Sequence, residues 1–172
     1  EVYSQKAYYL ASVADSIFIN AQGAMDFTGF KSEQMFLKGG LDKLGIDAKI
    51  IKAGKYKSAG EMFTNTGMSI PNRLQLTEFI NASYNYFLGN ISTARHIPVD
   101  TLKAIANGLK VRFPSDAVKA GLVDKVCYKD EILASIHSKL GLKNDDEINF
   151  IELKDYASSD KSIPILPAIA SK

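Results

Sequence analysis

The chain has no tryptophan, one cysteine (Cys127) and two histidines (His96 and His137) in 172 residues. One cysteine excludes an internal disulfide, and two histidines 41 positions apart leave no Cys/His metal spacing. Neither histidine sits in a recognisable motif with an acidic partner, so a Ser-His-Asp enzyme built from this chain alone is not expected; capping or surface roles suit them. No apolar run reaches the roughly 18 to 20 residues needed to cross a bilayer, and no signal peptide is expected within these residues. Charge of one sign is also missing. Lysine and arginine number 21 against 19 acidic side chains, a formal net charge of +2. A nucleic-acid domain ordinarily shows a basic face or a pI above about 9, so no nucleic-acid partner is expected.

What is present suits one domain with a real core, since 46% of residues are hydrophobic and 23% charged. The chain opens at Glu1 rather than methionine, directly on a strand-like "EVY", and is expected to be cut from something longer. Ser4 can cap a helix through about residue 14, and "SIFIN" (16–20) has the β-branched and aromatic bias of a buried strand. Ser32 can cap a second helix stopped at Gly45. "IDAKIIKAG" (46–54) reads as a strand ended by Gly54. Ser69-Ile70-Pro71 reads as a cap followed by proline in the first turn. From there to about Arg95, apolar residues recur mostly at spacings of three and four, the strongest helical pattern in the chain. Asp100 is expected to cap a short helix stopped by Gly108, and "KVRFP" to form a strand ended by Pro114. Ser115 can cap "DAVKA", with Gly121 closing it in the left-handed conformation. "LVDKVCY" should run extended, a helix should occupy about 129–140 before Gly141, and "INFIELK" (148–154) reads as a last strand. The prolines and serines beyond read as a linker. Strands alternating with helices predict an α/β class with largely parallel pairing.

The stretch "KAGKYKSAGEMF" (52–63) carries three lysines within six positions. An exposed loop or an edge strand protected by lysine accounts for it without any chemistry. A P-loop is excluded, because nothing matches G-x-x-x-x-G-K-[ST]. The chemical alternative is a lysine general base. Such an amine must be neutral, so its pKa must fall from about 10.4 toward 7 or 8, about 4 kcal/mol against the charged form. Burial or a neighbouring cation can supply that, and attack then needs a hydroxyl within about 3 Å. Sequence does not show the burial.

"YYLASVADSIFINAQGAMDFTGF", "FLKGGLDKLGIDAKIIKAGKYKSAGEMFTNTGMSIPNR", "ARHIP" and "FPSDAVKAGLVDKV" together resemble the amino-terminal half of the long-form signal peptide peptidase A (protease IV) family. These are serine peptidases of family S49 in the ClpP/crotonase-like superfamily. The likeness covers residues 8 to about 140, and G-x-Y-K-S-A-x-E, here Gly54 to Glu61, is its most specific element. It implies a ClpP/crotonase-like half-module over residues 1–154, with 155–172 leading toward a carboxy-terminal half. It implies that Lys57 is the general base of a Ser/Lys dyad whose serine belongs to that other half, in an S-G-G-Y motif. Gln5 stands where a nucleophile would sit, and an amide cannot attack a carbonyl. Ser58 and Glu61 could orient Lys57 or line the substrate path, although turn and cap roles serve equally well.

The same likeness implies no cofactor and no metal, and peptide substrates such as cleaved signal peptides and unfolded chains. It also implies a homo-oligomer, a membrane segment outside these residues, and location at the inner membrane with the bulk outside the cytoplasm. Two departures concern loop shape: Met62 follows the motif glutamate where the family commonly has proline, and Asn20-Ala21-Gln22-Gly23 replaces N-P-x-G. Two other readings stay open. An acyl-CoA enzyme of the crotonase class would suit "AGLVD" (120–124), but its glycine-rich oxyanion stretch is not seen. A non-catalytic oligomerisation module would suit a half that lacks a nucleophile.

Overall fold

A computed structural model describes residues 2–142 and 148–159. The elements in order are β1 (Val2–Tyr3), α1 (Gln5–Ala11), β2 (Phe18–Ile19), β3 (Ala24–Met25), α2 (Lys38–Lys43), α3 (Glu61–Thr64), α4 (Ile70–Arg95), α5 (Val99–Asn107), α6 (Pro114–Lys119), β4 (Lys125–Val126), α7 (Lys129–Leu140) and α8 (Leu153–Ser159). The chain divides between Tyr128 and Lys129 into two compact units.

In the first unit the strands pair in parallel, β1 with β3 and β2 with β4, in the registers Val2↔Ala24 and Ile19↔Val126. Each parallel pair requires a crossover, and α1 is the link that carries the chain from β1 toward β2. Ser4 has extended backbone and its hydroxyl accepts from Ala7 N, which starts α1 as the sequence predicts. Tyr8 on that helix is fully buried, and its hydroxyl donates to Leu122 O at 2.8 Å. An aromatic edge contact joins Tyr8 to Phe27, with ring centroids 5.9 Å apart. Leu88 and Ile91 of α4, Leu102 of α5, and Leu122 complete the centre. Each such side chain contributes roughly 1.5–3 kcal/mol by leaving water.

The long helix changes character along its length. Ser69 caps it by accepting from Asn72 N, and Pro71 sits in the first turn. Its second half buries Phe87, Leu88 and Ile91, whereas Ile70, Leu74 and Phe79 of the first half are exposed. His96 ends it in the left-handed conformation (φ 55°), so one of the two histidines does cap a helix. Arg95 makes an ion pair with Asp124 beside this helix, whereas Arg73 makes none among the described residues.

Several expected elements differ. Residues 46–53 form no strand, and Ile51 is wholly exposed. β-Branched residues favour a strand only where a neighbour offers a ladder, and no described strand pairs here. The helix expected from Ser32 begins only at Lys38, after Leu37 N has donated to Met62 O. It does stop at Gly45 (φ 70°). Pro98 rather than Asp100 precedes α5, Asp100 lying in its first turn. "KVRFP" is not a strand: Pro114 begins α6, and the Asp116 carboxylate accepts from Arg112 N and Phe113 N. That arrangement takes the start of α6 away from Ser115. Gly121 adopts the predicted left-handed backbone (φ 73°).

The second unit holds α7 and α8. Asp130 and Glu131 lie in the first turn of α7, and His137 and Lys139 in the last, signs that complement the helix dipole. Gly141 (φ 66°) closes it, and Leu142 N returns to His137 O. Residues 148–152 are not a strand, and α8 begins where that strand was expected to end. Most of the expected linker lies outside the described residues. Among the described residues no helix is long and apolar enough to cross a membrane.

Candidate active site

The lysine-bearing stretch is a turn, and its shape begins with a glycine. Gly54 has φ 94°, a conformation that side chains rarely adopt, and Lys57 N then donates to Gly54 O at 3.3 Å. Alternation along a strand would have placed Lys55 and Lys57 on one side. The turn instead lays the Lys55 amine over the Tyr56 ring, 5.0 Å from its centroid. Lys57 is exposed, and its amine makes no hydrogen bond or ion pair among the described residues. Ser58 is half-buried, and its carbonyl accepts from Glu61 N at 2.9 Å.

Glu61 is the anchor of the stretch. It is 1% exposed, and its carboxylate lies among donors from the start of α4. Ser69 Oγ donates to Glu61 Oε1 at 2.6 Å and Ser69 N to Oε2 at 3.2 Å. Asn72 Nδ2 donates to Oε2 at 3.1 Å and to Gln34 Oε1 at 3.0 Å. Lys52 Nζ stands 3.6 Å from Oε1, with its side chain 46% exposed. The Ser69 hydroxyl, helped by the other donors and by Lys52, holds the Glu61 carboxyl below the usual carboxylate range against the opposing effect of burial. A buried carboxylate with this many donors is satisfied and fixed. Glu61 thus ties the turn to the cap of α4 and, through Asn72, to the segment carrying Gln34.

Lys57, Ser58 and Glu61 therefore share one short stretch, but only Glu61 is enclosed. No described contact joins Glu61 to the Lys57 amine. Asn72 and Gln34 were not singled out from the sequence. A signal for Asn72 existed: it is a polar residue three positions after the Ser69 cap and four before the apolar Leu76, a spacing that shares one helix face. Gln34 had no comparable signal. At the expected nucleophile position, Gln5 Oε1 accepts from Thr28 N at 3.1 Å, fastening the segment after β3 to the head of α1.

The "AGLVD" piece has a structural occupation. Arg95 reaches Asp124 through two hydrogen bonds, Nη2–Oδ1 at 2.9 Å and Nη1–Oδ2 at 3.1 Å, and also reaches Gly121 O. Asp124 Oδ2 accepts from Ile17 N at 2.7 Å. The Arg95 guanidinium, with Ile17 N, keeps the Asp124 carboxyl below its ordinary range. This segment ties the end of α4 to the β2 strand; it is a strut and not a pocket.

The model of Peptidase family S49 matches residues 1–143. The chain is 32% identical to Protease 4 of Haemophilus influenzae over 161 residues, covering 90% of this chain and 26% of that protein. It is 26% identical to the chloroplastic serine protease SPPA of Arabidopsis thaliana over 157 residues, covering 91% of this chain and 23% of the relative. A putative protease of Methanocaldococcus jannaschii is 30% identical over 144 residues, with 84% of this chain and 45% of the relative covered. The chain thus spans about a quarter of the length of the first two relatives. Its helices and parallel strands fit a partial α/β domain of the ClpP/crotonase-like kind. The chain belongs to peptidase family S49.

Proposed function

We propose that the chain is the base-bearing half-module of a Ser/Lys-dyad serine endopeptidase that degrades cleaved signal peptides and other unfolded chains. Family membership supports the class of activity, and the placement of Lys57 on a turn secured by Glu61 is the observation that carries the residue assignment. The serine comes from a carboxy-terminal half outside this chain, to which residues 155–172 lead from the 1–154 module. Its hydroxyl oxygen attacks the peptide carbonyl while the neutral Lys57 amine takes the hydroxyl proton. The resulting ammonium then protonates the leaving amine as the carbon–nitrogen bond breaks, and backbone amides stabilise the oxyanion. Water later releases the acyl group by the same proton route.

Lys57 is exposed here, so the surface that dries its amine belongs to the other half or to a neighbouring subunit. The exposed Ile70 and Leu74 at the start of α4 favour such an assembly. The assembly acts at the inner membrane with its bulk on the extracytoplasmic side, held by a segment outside these residues.

The test is Lys57→Ala in the full-length protein, alongside Lys57→Arg. Both variants should fold and assemble as the parent does. Peptide cleavage should fall by at least about 10³-fold in each, because removal of a dyad member leaves little beyond binding and oxyanion stabilisation. A guanidinium does not shed its proton near neutral pH, so arginine cannot replace the base. Activity surviving either change would place the base elsewhere.

A further inference from the structure

A second feature of the first unit is independent of Lys57. Between the head of α1, residues 28–32 and the middle of α4 lies an open trough of about 1310 Å³. Small-molecule pockets occupy roughly 300–1,000 Å³, so this one has the size for a stretch of chain. Its floor is apolar, formed chiefly by Tyr9, Leu76, Phe79, Ile80 and Phe87. Tyr9 stacks on Phe87 at 5.4 Å, and Phe30 leans on the same ring at 5.2 Å. The floor is packed by these rings at that end, while Leu10 and Phe79 remain largely exposed.

One wall is unpaired backbone. Gln5 holds Thr28 N, but the following N–H groups of Gly29, Phe30, Lys31 and Ser32 make no hydrogen bond among the described residues. A row of unpaired main-chain donors beside an apolar floor suits an added strand, although the Gly29 carbonyl already accepts from Thr28 Oγ1 at 3.5 Å. The lining carries two cations and no acidic residue: Lys6 has no acidic partner among the described residues, and Lys31 pairs only with the exposed Glu33. The charge therefore suits a ligand that brings a carboxylate.

We propose that this trough is a holding site for an extended apolar peptide ending in a free carboxylate. The peptide backbone lies along Gly29–Ser32, its side chains rest on Phe79 and its neighbours, and its terminal carboxylate faces Lys6. Gln5, at the head of the trough, has no nucleophilic atom, so the bound peptide is retained and not cut. The inference rests on the proposed function only for the class of ligand, a peptide; binding at equilibrium needs neither the dyad nor turnover.

The experiment is a fluorescence-anisotropy titration of the 172-residue chain. The probe is an amino-terminally labelled hexapeptide of alanine, leucine and phenylalanine, offered both as the free acid and as the carboxy-terminal amide. Saturable binding is expected, with the acid bound about fivefold more tightly than the amide, the range of an exposed ion pair. Lys6→Glu should abolish that preference and leave amide binding unchanged. Phe79→Ser, at an exposed position, and Lys31→Pro, which removes one backbone donor, should each weaken both probes at least about tenfold with unaltered circular dichroism.

Absent saturation, equal affinity for acid and amide, or indifference to Phe79→Ser and Lys31→Pro would each overturn the proposal. So would sedimentation showing that Phe79→Ser merely separates an oligomer of this chain, since the occupant would then be a second copy. Lys57→Ala should bind the probe like the parent. Persistent cleavage by full-length Lys57→Ala would sink the proposed function without touching this binding, and loss of binding here would leave the dyad assignment intact.

Discussion

The two ends of α4 are fastened by opposite means. At the start, the single buried carboxylate of Glu61 gathers neutral donors from Ser69 and Asn72, and the loop it secures leaves Lys57 in solvent. At the finish, Arg95 and Asp124 form a bidentate pair that also engages Gly121 and Ile17, over a core containing Tyr8, Leu88 and Ile91. The first arrangement fixes a backbone path while leaving a side chain free to meet something from outside. The second joins elements already packed together. The two ends thus differ in what they bury: at the start a carboxylate that accepts mainly from the cap and first turn of α4, at the finish a bidentate salt bridge.

The contrast can be broken most severely at the supporting end. Asp124→Ala leaves Arg95, whose side chain is only 10% exposed, without its anion, and frees Ile17 N. Removing one partner of a buried pair costs about 3–5 kcal/mol. Asp124 retains 40% exposure, so solvent screening brings the expected loss to about 2 kcal/mol. Urea unfolding of the chain measures it. A midpoint equal to the parent's would show that the strut contributes nothing.

Glu61→Gln should act locally. The amide cannot accept from Ser69 and Asn72 as a carboxylate does, so the turn at 52–60 should become open to limited proteolysis while the global unfolding midpoint moves less than in Asp124→Ala. Equal shifts in both variants would erase the distinction between the two ends. Acid offers a finer test. The Glu61 and Asp124 carboxyls both titrate lower in the folded chain than in the unfolded one, so the unfolded chain takes up their protons first on acidification. Their stabilising contributions are complete above about pH 5 and fade as pH falls through the folded values. Unfolding measured from pH 7 down to pH 3 should lose less stability in Glu61→Gln and in Asp124→Asn than in the parent. The smallest effect belongs to Arg73→Ala. That side chain is exposed and without an ion pair among the described residues, so a change within about 0.5 kcal/mol is expected.

The elements legible in the sequence were those whose causes are local. Ser69 followed by Pro71 marks a helix start through one hydroxyl and one fixed φ, and Gly121 and Gly141 mark ends through backbone freedom. Ser4 capping α1 belongs to the same class. The illegible elements depended on partners distant in the chain. Ile50 and Ile51 carry strand propensity, yet a ladder requires a neighbour, and none pairs there among the described residues. Pro114 reads equally as the end of a strand or the first residue of a helix, and Asp116, two positions later, decides it by accepting from Arg112 N and Phe113 N. At the candidate site, the motif made Lys57, Ser58 and Glu61 visible. That Glu61 faces Ser69 and Asn72, eight and eleven positions onward, could not be read from spacing alone, because residues 65–68 could take many paths.

Gly54 bears a consequence out of proportion to its size. Its φ of 94° reverses the chain three residues ahead of Lys57, in a region that L-residues enter only at a cost of about 1–2 kcal/mol. Nothing lies within 4 Å of where its Cβ would be, so space does not forbid a side chain; only the handedness of the backbone does. The bearing of the amine is thus inscribed in the one amino acid without handedness of its own.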